Sequence, residues 1–138
     1  MIQRVQSIFM LLAALCLGGL FLLPFASSAT ADSNIFSDNM FTIHDKIPLV
    51  IMSALGALIA FISIFVYSNR KLQMKINSLG ILLSAVIFGL ALGIQHKSSL
   101  GNYEGGYMLV IASFILLLAA NYFIKKDDKT VRSMDRLR

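Results

Sequence analysis

Four stretches of the chain contain no Asp, Glu, Lys, Arg or His: residues 8–25, 48–67, 76–94 and 107–124. Each has about the 17–25 residues that a helix needs to cross a hydrocarbon core. A soluble helix alternates an apolar stripe with a polar face; these runs are apolar all round, which is the pattern of a helix in lipid. The pattern predicts an all-α fold, an integral membrane four-helix bundle in a single domain over 1–138, with a basic tail over 125–138.

The connections differ in kind. Residues 26–31 are small and polar and read as flexible. After them, Asn34-Ile35-Phe36 and Met40-Phe41-Thr42-Ile43 flank the turn-forming Ser37-Asp38-Asn39. That order predicts a short hairpin, which is marginal alone and has to lie on the bundle or on the membrane surface. Asp45 is placed to cap the next helix, with Pro48 tolerated in its first turn. The short segment 68–75 makes the second and third helices antiparallel neighbours, and Gly101-Asn102 and Gly105-Gly106 mark turns in the last connection. The first stretch imitates a secretory signal, with Arg4 before it and Ala29-Thr30-Ala31 after it. Its apolar run exceeds the usual signal core of about 7–15 residues, so a retained first helix is expected.

Composition strengthens the membrane reading and charge orients it. With 57% hydrophobic residues among 138 and a mean hydropathy of +0.78, little soluble mass remains. The net charge of +5 is unevenly placed. Ten of the twelve basic residues precede the first stretch, separate the second from the third, or follow the fourth. Only Lys46 and Lys97 fall on the other side, with Asp32, Asp38, Asp45 and Glu104. The positive-inside rule then puts both termini of a multi-pass membrane protein in the cytoplasm. No nucleic-acid motif accompanies the basic balance, so nucleic acid is not an expected partner. Cys16 has no second cysteine to pair with, and Leu15 before it does not fit a lipoprotein signal.

Small residues indicate where helices meet. Ala85, Gly89 and Gly93 recur every fourth position, as do Ser53 with Ala57 and Gly56 with Ala60. Such spacing lets backbones approach where lipid offers no hydrophobic drive. These residues are expected to pack helices, within the bundle or against a partner helix. Asn77 and Asn121, near the ends of their stretches, are expected to bond a neighbouring helix or meet the interface. His44 and His96 lack the further ligands that a metal or haem site requires. No nucleophile–base arrangement stands out, and no phosphate loop surrounds either glycine pair. The expectation is a protein with no catalytic residue, cofactor or metal. The lack of ionisable residues inside the stretches also argues against proton- or ion-coupled transport.

In the tail, Val131, Met134 and Leu137 are three apart and Asp128 and Arg132 four apart. If helical, this segment continues the fourth stretch with a thin apolar edge beside ion pairs. Met1-Ile2-Gln3-Arg4-Val5-Gln6 at one end, with Lys126-Asp127-Asp128-Lys129 and Val131-Arg132-Ser133-Met134-Asp135-Arg136-Leu137-Arg138 at the other, resembles a bacterial family of small four-span membrane proteins catalogued only as a domain of unknown function. The resemblance implies a multi-pass protein of the bacterial cytoplasmic (inner) membrane with a retained first helix, and supplies no activity. The expected role is a non-catalytic accessory or assembly subunit of a larger membrane complex. Arg4, Arg132, Asp135, Arg136 and Arg138 would touch membrane lipid or another membrane subunit. A small carrier or flippase for a lipid-like molecule is the alternative, and a membrane enzyme ranks third.

Overall fold

In an apolar medium a backbone can satisfy its N–H and C=O groups within one segment only as a helix. Helices accordingly form from all four apolar stretches. The computed structural model describes residues 3–28, 39–98 and 102–135. In chain order these form α1 (Gln3–Gly19), β1 (Ala26–Ser27), β2 (Met40–Phe41), a 3₁₀ turn (Ile43–Asp45), α2 (Ile47–Phe65), α3 (Arg70–Ser98), β3 (Asn102–Tyr103) and α4 (Gly105–Asp135). Three segments are long and apolar enough to cross a membrane: Ile47–Phe65, Arg70–His96 and Gly105–Val131. The first stretch is not one helix over 8–25. Its apolar helix is shorter, Val5–Gly19. Phe21 N–H donates to Gly18 O and Leu22 N–H to Gly19 O, so turns replace the helix ahead of Pro24. Pro24 has no N–H, and its ring would clash with the Leu20 carbonyl four residues back, so a helix cannot run on through it.

The helices form a closed ring. α1 packs on α2 and α4, and α3 packs on α2 and α4, with sequence neighbours antiparallel. One end carries both chain termini and is called the basic end; the other carries the three strands and is called the sheet end. The ring is apolar on both sides: Met10, Leu17, Leu20, Ile87, Leu117 and Ile124 are buried between the helices. Large side chains such as Ile51, Leu55, Leu58, Phe61, Leu82 and Ile115 face outward. Among the buried apolar side chains lie small or polar residues, including Ser53, Ala60, Ser63, Gln73, Asn77, Ser84 and Ser113. Hydrogen bonds tie the ring together: Ser53 Oγ donates to Leu17 O (2.8 Å), Gln73 Nε2 to Ser63 O (3.0 Å) and Asn77 Nδ2 to Leu117 O (2.8 Å). Asn121 Nδ2 adds a fourth, to Ser78 Oγ at 3.1 Å. Polar bonds and close backbone approach replace the hydrophobic effect where the solvent is itself apolar.

At the sheet end β1 is central, antiparallel to both neighbours in the order β2-β1-β3, with Ala26 opposite Phe41 and Tyr103. The first connection thus holds a short antiparallel pair, but β2 pairs with a strand in the stretch that was expected to be flexible. Phe25 and Ala26 are fully buried, and the Phe25 ring sits 5.6 Å from Phe41 and 5.2 Å from Tyr107. That burial fixes a segment whose composition reads as loose. The expected first strand over 34–36 lies outside the described residues. Asn39 enters β2 with φ of 58°, a left-handed conformation that Asn tolerates better than most residues. Asp45 does not cap α2. Its carboxylate turns back to accept from Thr42 N–H (2.6 Å) and Thr42 Oγ (3.1 Å), and Lys46 occupies the cap position with no side-chain bond.

Candidate functional site

The sheet end is positioned by one close approach. Gly106 N–H donates to Pro24 O (2.9 Å) and Glu104 N–H to Phe25 O (2.8 Å), so α4 starts directly on the chain leaving α1. A Cβ on Gly106 would lie 2.7 Å from Pro24 O, which only glycine avoids. This seat drives Tyr107 into the bundle, where its hydroxyl donates to Gln95 Oε1 at 2.6 Å. The Tyr107 ring stands edge-on to Phe88 (6.0 Å, 88°) and to Tyr103 (5.4 Å, 71°). These rings, with Leu92, Glu104 and Met108, line a cavity of about 530 Å³ on the outside of the α3–α4 seam. A second, apolar cavity of about 230 Å³ follows it down the seam past Ala85 and Phe114, and Phe88 and Ile111 border both. Ser27 Oγ donates to Glu104 Oε1 at 2.7 Å, so the carboxylate is held at the mouth of the groove.

The basic end is different. Buried Gln6, Ser63, Gln73 and Asn77 each present a side-chain oxygen with no hydrogen-bond partner among the described residues. The amide nitrogens of Gln73 and Asn77 are committed to backbone carbonyls, which fixes which way their oxygens point. Arg70 Nη2 lies 3.2 Å from Asp127 Oδ2, and this ion pair ties α4 to the α2–α3 turn. A cleft of about 660 Å³ opens beside it between Tyr67, Asn69, Lys71, Asp128 and Val131.

The helix-packing residues divide. Ser53, Gly56 and Ala60 are buried and Ala57 is half-buried, so the α2 set packs inside the ring. A Cβ on Gly56 would stand 3.2 Å from Leu17 Cδ1. Ala85, Gly89 and Gly93 are exposed, and a Cβ on Gly89 or Gly93 would meet nothing within 4 Å. Gly89 and Gly93 therefore do not pack helices within the bundle, while Ala85 borders the cavity on the α3–α4 seam. The inward face of α3 instead carries Gln73, Asn77, Gly80, Ser84, Ile87 and Ala91, three or four residues apart. Sequence reasoning missed Gln73 because a long polar residue does not announce a packing face, and Ser84 because its row continues through Gln73, Asn77 and Ile87 and not through small residues alone.

A family profile described as Domain of unknown function (DUF4293) matches residues 2–137. The chain belongs to the DUF4293 family. No curated protein and no solved structure matches it. The DUF4293 description carries no activity, so the remaining residues are judged on geometry. His44 lies on the 3₁₀ turn with Nε2 3.4 Å from Phe21 O and its ring edge-on to Phe21; His96 is exposed near the end of α3. Among the described residues no three of His, Cys, Asp and Glu gather as metal ligands would. In the DUF4293 tail α4 continues unbroken to Asp135. Arg4, Arg132 and Asp135 fall on α1 and α4 at the basic end, while Arg136 and Arg138 lie outside the described residues.

Proposed function

We propose that this protein is a non-catalytic accessory subunit that docks another membrane protein through the outer face of α3. It resides in the bacterial inner membrane with the basic end in the cytoplasm, following the ten-to-two split of basic residues. Arg4, Arg132, Asp135, Arg136 and Arg138 then meet the partner or anionic lipid on that side. The observation carrying the reading is the exposed stripe of Ala85, Gly89 and Gly93, which offers close backbone approach and where a Cβ on either glycine would meet nothing in the bundle. Outward-facing helix surfaces elsewhere present large Leu, Ile and Phe side chains suited to lipid.

The test is purification in mild detergent with identification of co-purifying membrane proteins. Gly89→Leu should leave the fold intact, because its side chain enters open space, and should remove the partner. A variant that keeps every partner would refute docking through α3. A carrier of a lipid-like molecule is the second reading, favoured by the α3–α4 groove. Lipid scrambling by the purified protein in vesicles would select it.

A further inference from the structure

We propose that the α3–α4 groove is a binding site for a phospholipid with an ammonium headgroup, such as phosphatidylethanolamine. The ammonium lies among Tyr103, Tyr107, Phe88 and the Glu104 carboxylate, and an acyl chain runs down the seam past Ile111 to Phe114.

Three observations converge. The upper cavity combines three aromatic rings with one carboxylate. Aromatic faces attract cations through their quadrupole, and cages of such rings are a recurring receptor for ammonium groups. Glu104 keeps its charge available: its described partner is the neutral Ser27 hydroxyl, and among the described residues no Lys or Arg lies within ion-pair distance of it. Depth fits a lipid. The apolar part of α4 begins at Gly105, so Tyr103 and Glu104 sit at the boundary where headgroups lie, and the lower cavity continues into the apolar zone.

Native mass spectrometry of the detergent-solubilised protein, offered phosphatidylethanolamine and phosphatidylglycerol with identical acyl chains, tests this directly. Phosphatidylethanolamine should be retained in preference. N-acetylated phosphatidylethanolamine, which keeps the chains but loses the cation, should lose that preference on the unaltered protein, so this arm does not depend on a variant folding. Tyr103→Ala and Glu104→Gln should each reduce the preference about two- to five-fold, the range of an exposed cation–π contact. Tyr103 is 71% exposed and its removal spares the core. Tyr103→Phe, which keeps the ring, should retain the preference. Equal retention of the two headgroups, or undiminished binding of the N-acetylated lipid, would overturn the proposal and leave the groove as an unselective apolar surface.

Discussion

Replacing Gly106 with Ala should damage the fold, while the same change at Gly89 should not. At Gly106 the new methyl group would stand 2.7 Å from Pro24 O, 3.0 Å from Pro24 C and 3.1 Å from Phe25 Cα. All three are backbone atoms, so no side chain can swing away. The Pro24–Phe25 segment cannot easily retreat either, because Phe25 N–H donates to Phe41 O at 2.7 Å and Phe25 O accepts from Glu104 at 2.8 Å. Overpacking of this kind costs about 1–3 kcal/mol. Stretching the Gly106–Pro24 bond adds about 1 kcal/mol. At Gly89 nothing lies within 4 Å, and the helix gains the advantage of Ala over Gly, about 0.8–1 kcal/mol. The two variants should therefore differ by about 3–5 kcal/mol, Gly106→Ala falling below the unaltered protein and Gly89→Ala equalling or exceeding it. Reversible unfolding in mixed micelles of mild detergent and dodecyl sulfate, followed by circular dichroism, would measure the gap. Equal stability would refute the steric argument at the sheet end, and a destabilised Gly89→Ala would place the outer stripe inside a packed interface of the isolated chain.

Three further outcomes are expected. Tyr107→Phe removes a buried 2.6 Å bond to Gln95 and should cost about 1–2 kcal/mol in the same unfolding assay. Arg70→Gln breaks a partly exposed ion pair and should cost less than about 1 kcal/mol; a larger loss would mean that the α2–α3 turn depends on it. In a Cys16→Ser background, a cysteine at Asn39 should react with an impermeant thiol reagent in intact cells and one at Ser68 should not. The reverse pattern would refute the proposed orientation.

The helices were legible because charge-free runs of this length have few other solutions. Their ends were less so. The end of α1 at Gly19 depends on Pro24 and on how Phe25 is buried beneath β2 and Tyr107, contacts that run far along the chain. The β1–β2 pairing escaped for the same reason: Ala26–Ser27 has no strand propensity and becomes a strand because Phe25 is anchored and both neighbouring loops converge on it. Asp45 looked like a helix cap by spacing, yet a Thr42 hydroxyl and N–H three residues earlier captured its carboxylate first. The groove joins Tyr103 and Glu104 to Phe88, a distance in sequence that no local pattern bridges.

Spacing along α3 poses a sharper problem, because two rows share the same period and only one is made of small residues. Gln73, Asn77, Gly80 and Ser84 form one, and Ala85, Gly89 and Gly93 the other. At about 100° per residue the two rows lie roughly 160° apart around the helix. Periodicity detects both and cannot say which faces the bundle. The hydrogen bonds decide it: Gln73 reaches Ser63 and Asn77 reaches Leu117, so the polar row turns inward and the glycine row must turn out. A helix that needed only to meet lipid on its far side would gain from Leu or Ile there, as α2 does with Ile51, Leu55 and Leu58. Each glycine left in a helix gives up about 0.8–1 kcal/mol relative to Ala. Retaining two of them on the outer face of α3 makes sense when a second backbone comes close to that face, which is why the docking proposal rests on this helix and no other.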